Sequence, residues 1–228
     1  MDPNSTRGKH MQEQSESYGL NYCRVEGISH PETLVSQCLG HSKIIYQHLA
    51  SNIFEPFLIL EDDASIKNFM EEVTVPDNCD AIYLGISGPA NNFNYYGCES
   101  DFICKTVGSG IKRIWNMCSS HAILITSQRY AIAYLTSMIE CAAKKWYYDI
   151  FAVRLFPFFN VYALEVPMYI QKASIGGNEL ATDITLSERK DTDMTKDELK
   201  DWYKAVTYTH LLYKNISRTD TPGSQKRL

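Results

Sequence analysis

Apolar residues along this chain fall into short unbroken runs and helical stripes, separated by polar turns. Residues 7–18 are polar and helix-compatible, and residues 22–25 read as a short strand closed by Gly27 and Pro31. Over residues 32–49, Leu34, Val35, Cys38, Ile44, Ile45 and Leu49 recur near helical spacing behind Pro31, so a helix with one face on a sheet is expected. Phe57-Leu58-Ile59-Leu60 is cut off abruptly by Glu61-Asp62-Asp63, the pattern of a strand buried on both faces whose carboxyl end opens into a site. Residues 81–85 and 122–126 read as two more strands, 128–145 as an amphipathic helix, 148–156 as an apolar segment around Asp149, and 161–166 as a strand stopped by Pro167. The polar stretch 91–110 reads as a long functional loop, and 197–212 as a last helix. This alternation predicts an α/β fold with a mixed, largely parallel central sheet flanked by helices. One domain is expected over residues 1–190, a helical appendage over 191–218 and a disordered tail over 219–228.

Composition narrows the function. With 228 residues and 44% hydrophobic content, the chain is long and apolar enough for an ordinary globular core, which excludes a disordered or collagen-like protein. Lys plus Arg total 22 against 27 for Asp plus Glu, a formal charge of −5. That is the wrong sign for gripping a phosphate backbone, so no nucleic acid partner is expected. The seven cysteines lack C-x-x-C spacing, which gives no reason to expect zinc and reads as reduced thiols of a cytoplasmic protein. No secretory leader and no transmembrane run of about 18 apolar residues is seen.

Three adjacent carboxylates after a strand face water or a cation, because unpaired charge in a core is strongly disfavoured. Such oxygens suit Mg²⁺ or Mn²⁺, which takes one or two protein carboxylates and fills its shell with water and substrate phosphates. The same residues also suit the N-terminus of a helix near Ser65, where negative charge is favoured. Local physics leaves both open.

The order of motifs goes further. LILEDDA (residues 58–64) resembles the metal motif of glycosyltransferase family 25, the lipopolysaccharide and procollagen galactosyltransferase group. Upstream, residues 3–28 are similar to that family's opening R-x₃-M-x₂-Q block, here Arg7, Met11 and Gln14, and CLGHSKIIYQHL (38–49) is similar to its C-x-S-H helix. Downstream, AIYLG (81–85), SSHAILITSQRYAIAYL (119–135), Tyr148-Asp149 and VPMYIQ (166–171) resemble its later blocks. The resemblance spans roughly residues 3–175 and implies a GT-A fold and an inverting, metal-dependent transfer of a hexose, galactose or glucose, from a UDP-sugar or other nucleotide-sugar donor. The acceptor it implies is a hydroxyl of a glycan, a lipid-linked saccharide or a protein.

On that resemblance, Asp63 with Glu61 holds the cation, Asp62 contacts ribose or donor sugar, and Asp149 is the candidate base for the acceptor hydroxyl. Asp149 alternatively bonds backbone or Arg154. His121 is a candidate contact to phosphate or metal, and Gln171 to donor or acceptor or else a simple turn amide. His41 either reaches the site or packs on its helix. Glu99, Asp101, Tyr95 and Tyr96 are candidates for the acceptor side. Two departures, the lack of an apolar run ahead of Pro3 and Gly40 where the family carries Ser, leave open a catalytically inactive transferase-like binding domain. A metal-dependent phosphohydrolase using the same carboxylates is a third expectation.

Overall fold

The computed structural model describes residues 4–51, 53–89, 102–175 and 184–192. The chain opens with α1 (Thr6–Tyr18), capped where Ser5 Oγ accepts from the Gly8 amide at 3.1 Å and ended by Gly19 in the left-handed region at φ 65°. Next come α2 (Thr33–Leu49), β1 (Phe57–Leu60), β2 (Ala64–Ile66), β3 (Ala81–Tyr83) and β4 (Gly88–Pro89). The strands β5 (Cys104–Gly108), β6 (Ile111–Ile114), β7 (Met117–Cys118) and β8 (Ala122–Ile125) lead into α3 (Gln128–Lys144) and the short α4 (Tyr148–Val153). After β9 (Val161–Leu164) and β10 (Tyr169–Gln171), a 3₁₀ turn covers Ala173–Ile175.

Six strands form one sheet in the order β1-β8-β3-β9-β6-β5. The architecture is α/β with a mixed sheet, but the largely parallel arrangement expected from sequence is not observed. Only β3 and β9 run parallel, and the other four pairings are antiparallel. Parallel neighbours need a crossover, usually a helix. Between β3 and β8 the described chain instead makes short strands, including the β5–β6 hairpin that turns through Gly110 at φ 73°. That hairpin also replaces the end of the expected 91–110 loop, because Cys104 to Gly108 pair along β6.

Side chains alternate across the sheet as strand geometry requires. Ala81, Tyr83, Ile123, Ile125, Val161 and Ala163 face a large core beneath α2, α3 and α4, and Ile82, Leu84, Ala122, Tyr162 and Leu164 face a second cluster with Val75, Met168 and Tyr169. Two further expectations are corrected. The strand β1 lies at the sheet edge with Leu58 38% exposed, so it is not buried on both faces. Residues 22–25 form no strand; they are irregular and largely exposed, and among the described residues no strand pairs with them. The helix expected over 197–212, the tail over 219–228 and the loop candidates Tyr95, Tyr96, Glu99 and Asp101 lie outside the described residues.

Asp80 ties three elements together just before β3. Its buried carboxylate accepts from Ser127 Oγ at 2.7 Å, from the Asn160 amide at 2.8 Å and from the Arg129 guanidinium through both oxygens. It therefore joins the start of β3 to the N-terminus of α3 and the approach to β9. Removing one partner of a buried pair strands the other, so Asp80→Ala should cost about 3–5 kcal/mol, read as a drop in the urea-unfolding midpoint.

Candidate functional site

The acidic triplet occupies a tight turn that reverses β1 into β2. No helix follows it, so the helix-capping alternative for Glu61, Asp62 and Asp63 is excluded: residues 64–66 are strand. The Ala64 amide donates to the Glu61 carbonyl at 3.1 Å and closes the turn. Its two ends are pinned by other elements, since the Glu61 amide donates to the His121 carbonyl at 2.9 Å and the Lys172 amide donates to the Asp63 carbonyl at 3.0 Å. The turn thus sits where the carboxyl end of β1, the entrance of β8 and the exit of β10 meet.

A helix clamps the turn from outside the sheet. In α1, Gln14 behaves like one more strand residue beside β2: its Nε2 donates to the Ala64 carbonyl at 2.8 Å and its Oε1 accepts from the Ile66 amide at 2.5 Å. His10 adds a contact to Ser65 Oγ at 2.8 Å. One and two turns earlier on the same face, Arg7 reaches the acids: Nη1 donates to Asp62 Oδ1 at 2.5 Å, Nη2 lies 3.4 Å from Asp63 Oδ2, and Nε donates to the Ile175 carbonyl at 3.0 Å.

Each carboxylate has a different environment. Glu61 Oε1 accepts from Tyr148 Oη at 2.5 Å and lies 3.5 Å from His41 Nε2, while Oε2 is 3.4 Å from Gln171 Nε2. Burial pushes the Glu61 carboxyl up, but His41 and the hydroxyls of Ser120 and Tyr148 outweigh it and hold the group down at about 2. Burial raises Asp63, and repulsion from Glu61 adds to it; attraction to Arg7 only partly compensates, so its carboxyl is pushed up to about 6. Asp63 is 6% exposed, and its Oδ1 has no hydrogen-bond partner.

The other candidates sit as follows. His121 is fully buried: Nδ1 is 3.2 Å from Ser119 Oγ and Nε2 is 3.3 Å from the Tyr169 carbonyl, and burial lowers its basicity. The ring lies over Gly85, where an added Cβ would fall 1.9 Å from Nε2. His121 therefore joins strands from the inside, and no face of it opens to a phosphate in solvent. Gln171 pairs with Ala64 across β10 and β2 and its side chain meets Glu61, which brings it into the site. Asp149 is half-buried in the first turn of α4, next to Tyr148, and its charge is felt by the buried Tyr148, Tyr134 and Tyr83.

Arg7, Tyr148 and Ser120 are site residues that the sequence reading did not single out as such. Arg7 had a usable signal, since Arg7, Met11 and Gln14 fall at i, i+4 and i+7 on one helix face. Tyr148 and Ser120 fell within two of the motif blocks, but their contact with each other had no signal because it spans two elements: Ser120 Oγ lies 2.8 Å from Tyr148 Oη.

The donor set fits a hard divalent cation at one point. Asp63 offers a buried, unpartnered carboxylate oxygen, whereas both Glu61 oxygens already have partners. Among the described residues no three His, Cys, Asp or Glu side chains form a metal-holding group, so a cation held here would complete its shell with water and substrate oxygens. No helix among the described residues is long and apolar enough to cross a membrane. Comparison with family profiles, curated proteins and solved structures gives no match.

Between about pH 4 and 6 the folded chain keeps a proton on Asp63 that the unfolded chain has released, so stability falls as pH rises through that window. Glu61 has the opposite slope, losing stability as pH falls from its ordinary value towards 2. In EDTA, Asp63→Asn should therefore melt a few degrees above wild type at pH 7.5 and coincide with it at pH 4, measured by thermal unfolding.

Proposed function

We propose that this chain is a metal-dependent glycosyltransferase of GT-A type, moving a hexose from a nucleotide diphosphate sugar, most simply a UDP-sugar, to a hydroxyl on a glycan, a lipid-linked saccharide or a protein. The observation that carries the reading is Asp63, a nearly buried carboxylate with a free oxygen, in an acidic turn at the carboxyl end of a strand. Charge left unsatisfied there has a use if a cation and a diphosphate complete it. The ordered resemblance of residues 3–175 to glycosyltransferase family 25 supports the same reading.

A bound Mn²⁺ or Mg²⁺ supplies Lewis-acid stabilisation of the charge on the departing diphosphate. Asp63, whose Oδ1 has no hydrogen-bond partner, would hold that cation. Glu61, kept ionised and anchored by Tyr148 and His41, fixes the turn so that Asp63 stays in place. Asp62, 30% exposed at its side chain, accepts from a ribose or sugar hydroxyl, and Gln171 orients the same substrate from β10. Asp149 takes the proton of the acceptor hydroxyl on the face opposite the leaving group, as inversion requires. His121 supports the strands beneath these groups.

A second reading, a transferase-like domain that binds without turnover, is favoured by one observation. Arg7 already lies across Asp62 and Asp63 and neutralises part of their charge without a metal.

Titration calorimetry of UDP separates the two. The transferase reading expects binding that needs Mn²⁺ and falls at least about tenfold in Asp63→Ala. UDP that fails to bind wild type in any condition overturns it. With donor and acceptor in hand, Asp149→Asn should lose roughly 10²–10⁴ in turnover while binding UDP normally, and unchanged turnover removes Asp149 from the mechanism.

A further inference from the structure

Arg7 is held for a purpose that its ion pairs alone do not explain. Its guanidinium is fixed from three sides, by the Ile175 carbonyl, by Asp62 and, at the longer 3.4 Å, by Asp63. The helix that carries it is itself fixed on β2 through His10 and Gln14. Even so, Arg7 leaves the site incomplete: with Glu61 met by His41 and Tyr148, one guanidinium stands against the two carboxylates Asp62 and Asp63, and Asp63 Oδ1 stays buried and unpartnered. A surface ion pair would need neither this preorganisation nor a buried free oxygen beside it.

We propose that Arg7 is the resting counter-ion of the acidic turn and passes from the Asp62 and Asp63 carboxylates to the diphosphate when cation and nucleotide bind. The inference rests on the transferase reading above. Charge balance supports the exchange. A dication at Asp63 compensates the carboxylates more fully than Arg7 does and repels the guanidinium beside it. The arriving diphosphate brings several negative oxygens to the same place, and a planar fork of N–H donors suits them better than it suits two separate carboxylates. Nε remains on the Ile175 carbonyl throughout, so only the Nη groups change partner. The arm need not swing far, since its side chain is already 35% exposed at the turn. Arg7 would thus keep the acids paired while the site is empty and make cation and nucleotide bind together rather than singly.

The test uses the whole chain, with Mn²⁺ alone and then UDP at saturating Mn²⁺ as probes, comparing wild type with Arg7→Gln by calorimetry. Without its internal competitor, Arg7→Gln should bind Mn²⁺ alone roughly three- to tenfold more tightly, and with its phosphate partner gone it should bind UDP at least about tenfold more weakly. Mn²⁺ affinity that is unchanged or lower, or UDP affinity that is unchanged, overturns the proposal and leaves Arg7 as a clamp for α1. Wild type that binds neither Mn²⁺ nor UDP overturns the transferase reading itself, a distinct result. If Arg7→Gln does not fold, Arg7→Lys keeps the charge and loses the fork: Mn²⁺ affinity within about twofold of wild type with weaker UDP binding supports the exchange, and two unchanged affinities overturn it.

Discussion

Three like charges delivered side by side at the end of an edge strand are the constraint that organises this molecule. In a half-buried turn they cannot be left to water alone, and the surrounding elements answer them one at a time. Glu61 is met by His41 from α2 and Tyr148 from α4, Asp62 by Arg7 from α1, and Gln171 approaches from β10. Asp63 is the one that the fold leaves unfinished, with a buried oxygen unclaimed and its proton held more tightly than usual. The site is therefore asymmetric, with one carboxylate locked ionised, one paired at the surface and one waiting. Pairs of neighbouring acids pushed apart in this way are where distinct chemical roles are found.

The scaffold makes that asymmetry possible through its strand order. Placing β8 between β1 and β3 brings the entrance of one antiparallel strand beside the exits of two others, so the His121 carbonyl can hold the Glu61 amide. A fully parallel sheet would have set strand exits together and put helix N-termini, not the 119–121 segment, beside the acids. The close approach of the His121 ring to Gly85 belongs to the same junction and leaves no room there for a side chain. Rigidity at this point is built from backbone hydrogen bonds and a buried ring, and the charged side chains are mounted on it.

Local pattern carried much of this. The helical stripes at 32–49 and 128–145 formed α2 and α3 almost to the residue, because helical hydrogen bonds are local and one apolar face supplies the packing, and the apolar run Phe57 to Leu60 formed β1 by pairing with β8. The acidic triplet was visible as a cluster that must meet water, a cation or counter-charges for an equally local reason: three charges beside an apolar run cannot all be buried unpaired. The 22–25 stretch failed because four residues with mixed polarity make a strand only if a partner lies alongside, and among the described residues none does.

The sequence by itself determined the long helices α2 and α3 and the strands β1, β3, β8 and β9, that charge accumulates after β1, and that Arg7, Met11 and Gln14 share a face. Tertiary structure alone decided strand order and direction, and with them the edge position of β1, because register and pairing depend on contacts between residues far apart in the chain. It also decided what each carboxylate is. Glu61, Asp62 and Asp63 are near-equivalent in sequence, and only the folded surroundings set them apart: His41 and Tyr148, arriving from 20 or more residues away, make Glu61 strongly acidic, Arg7 pairs Asp62, and burial beside Glu61 makes Asp63 reluctant to ionise.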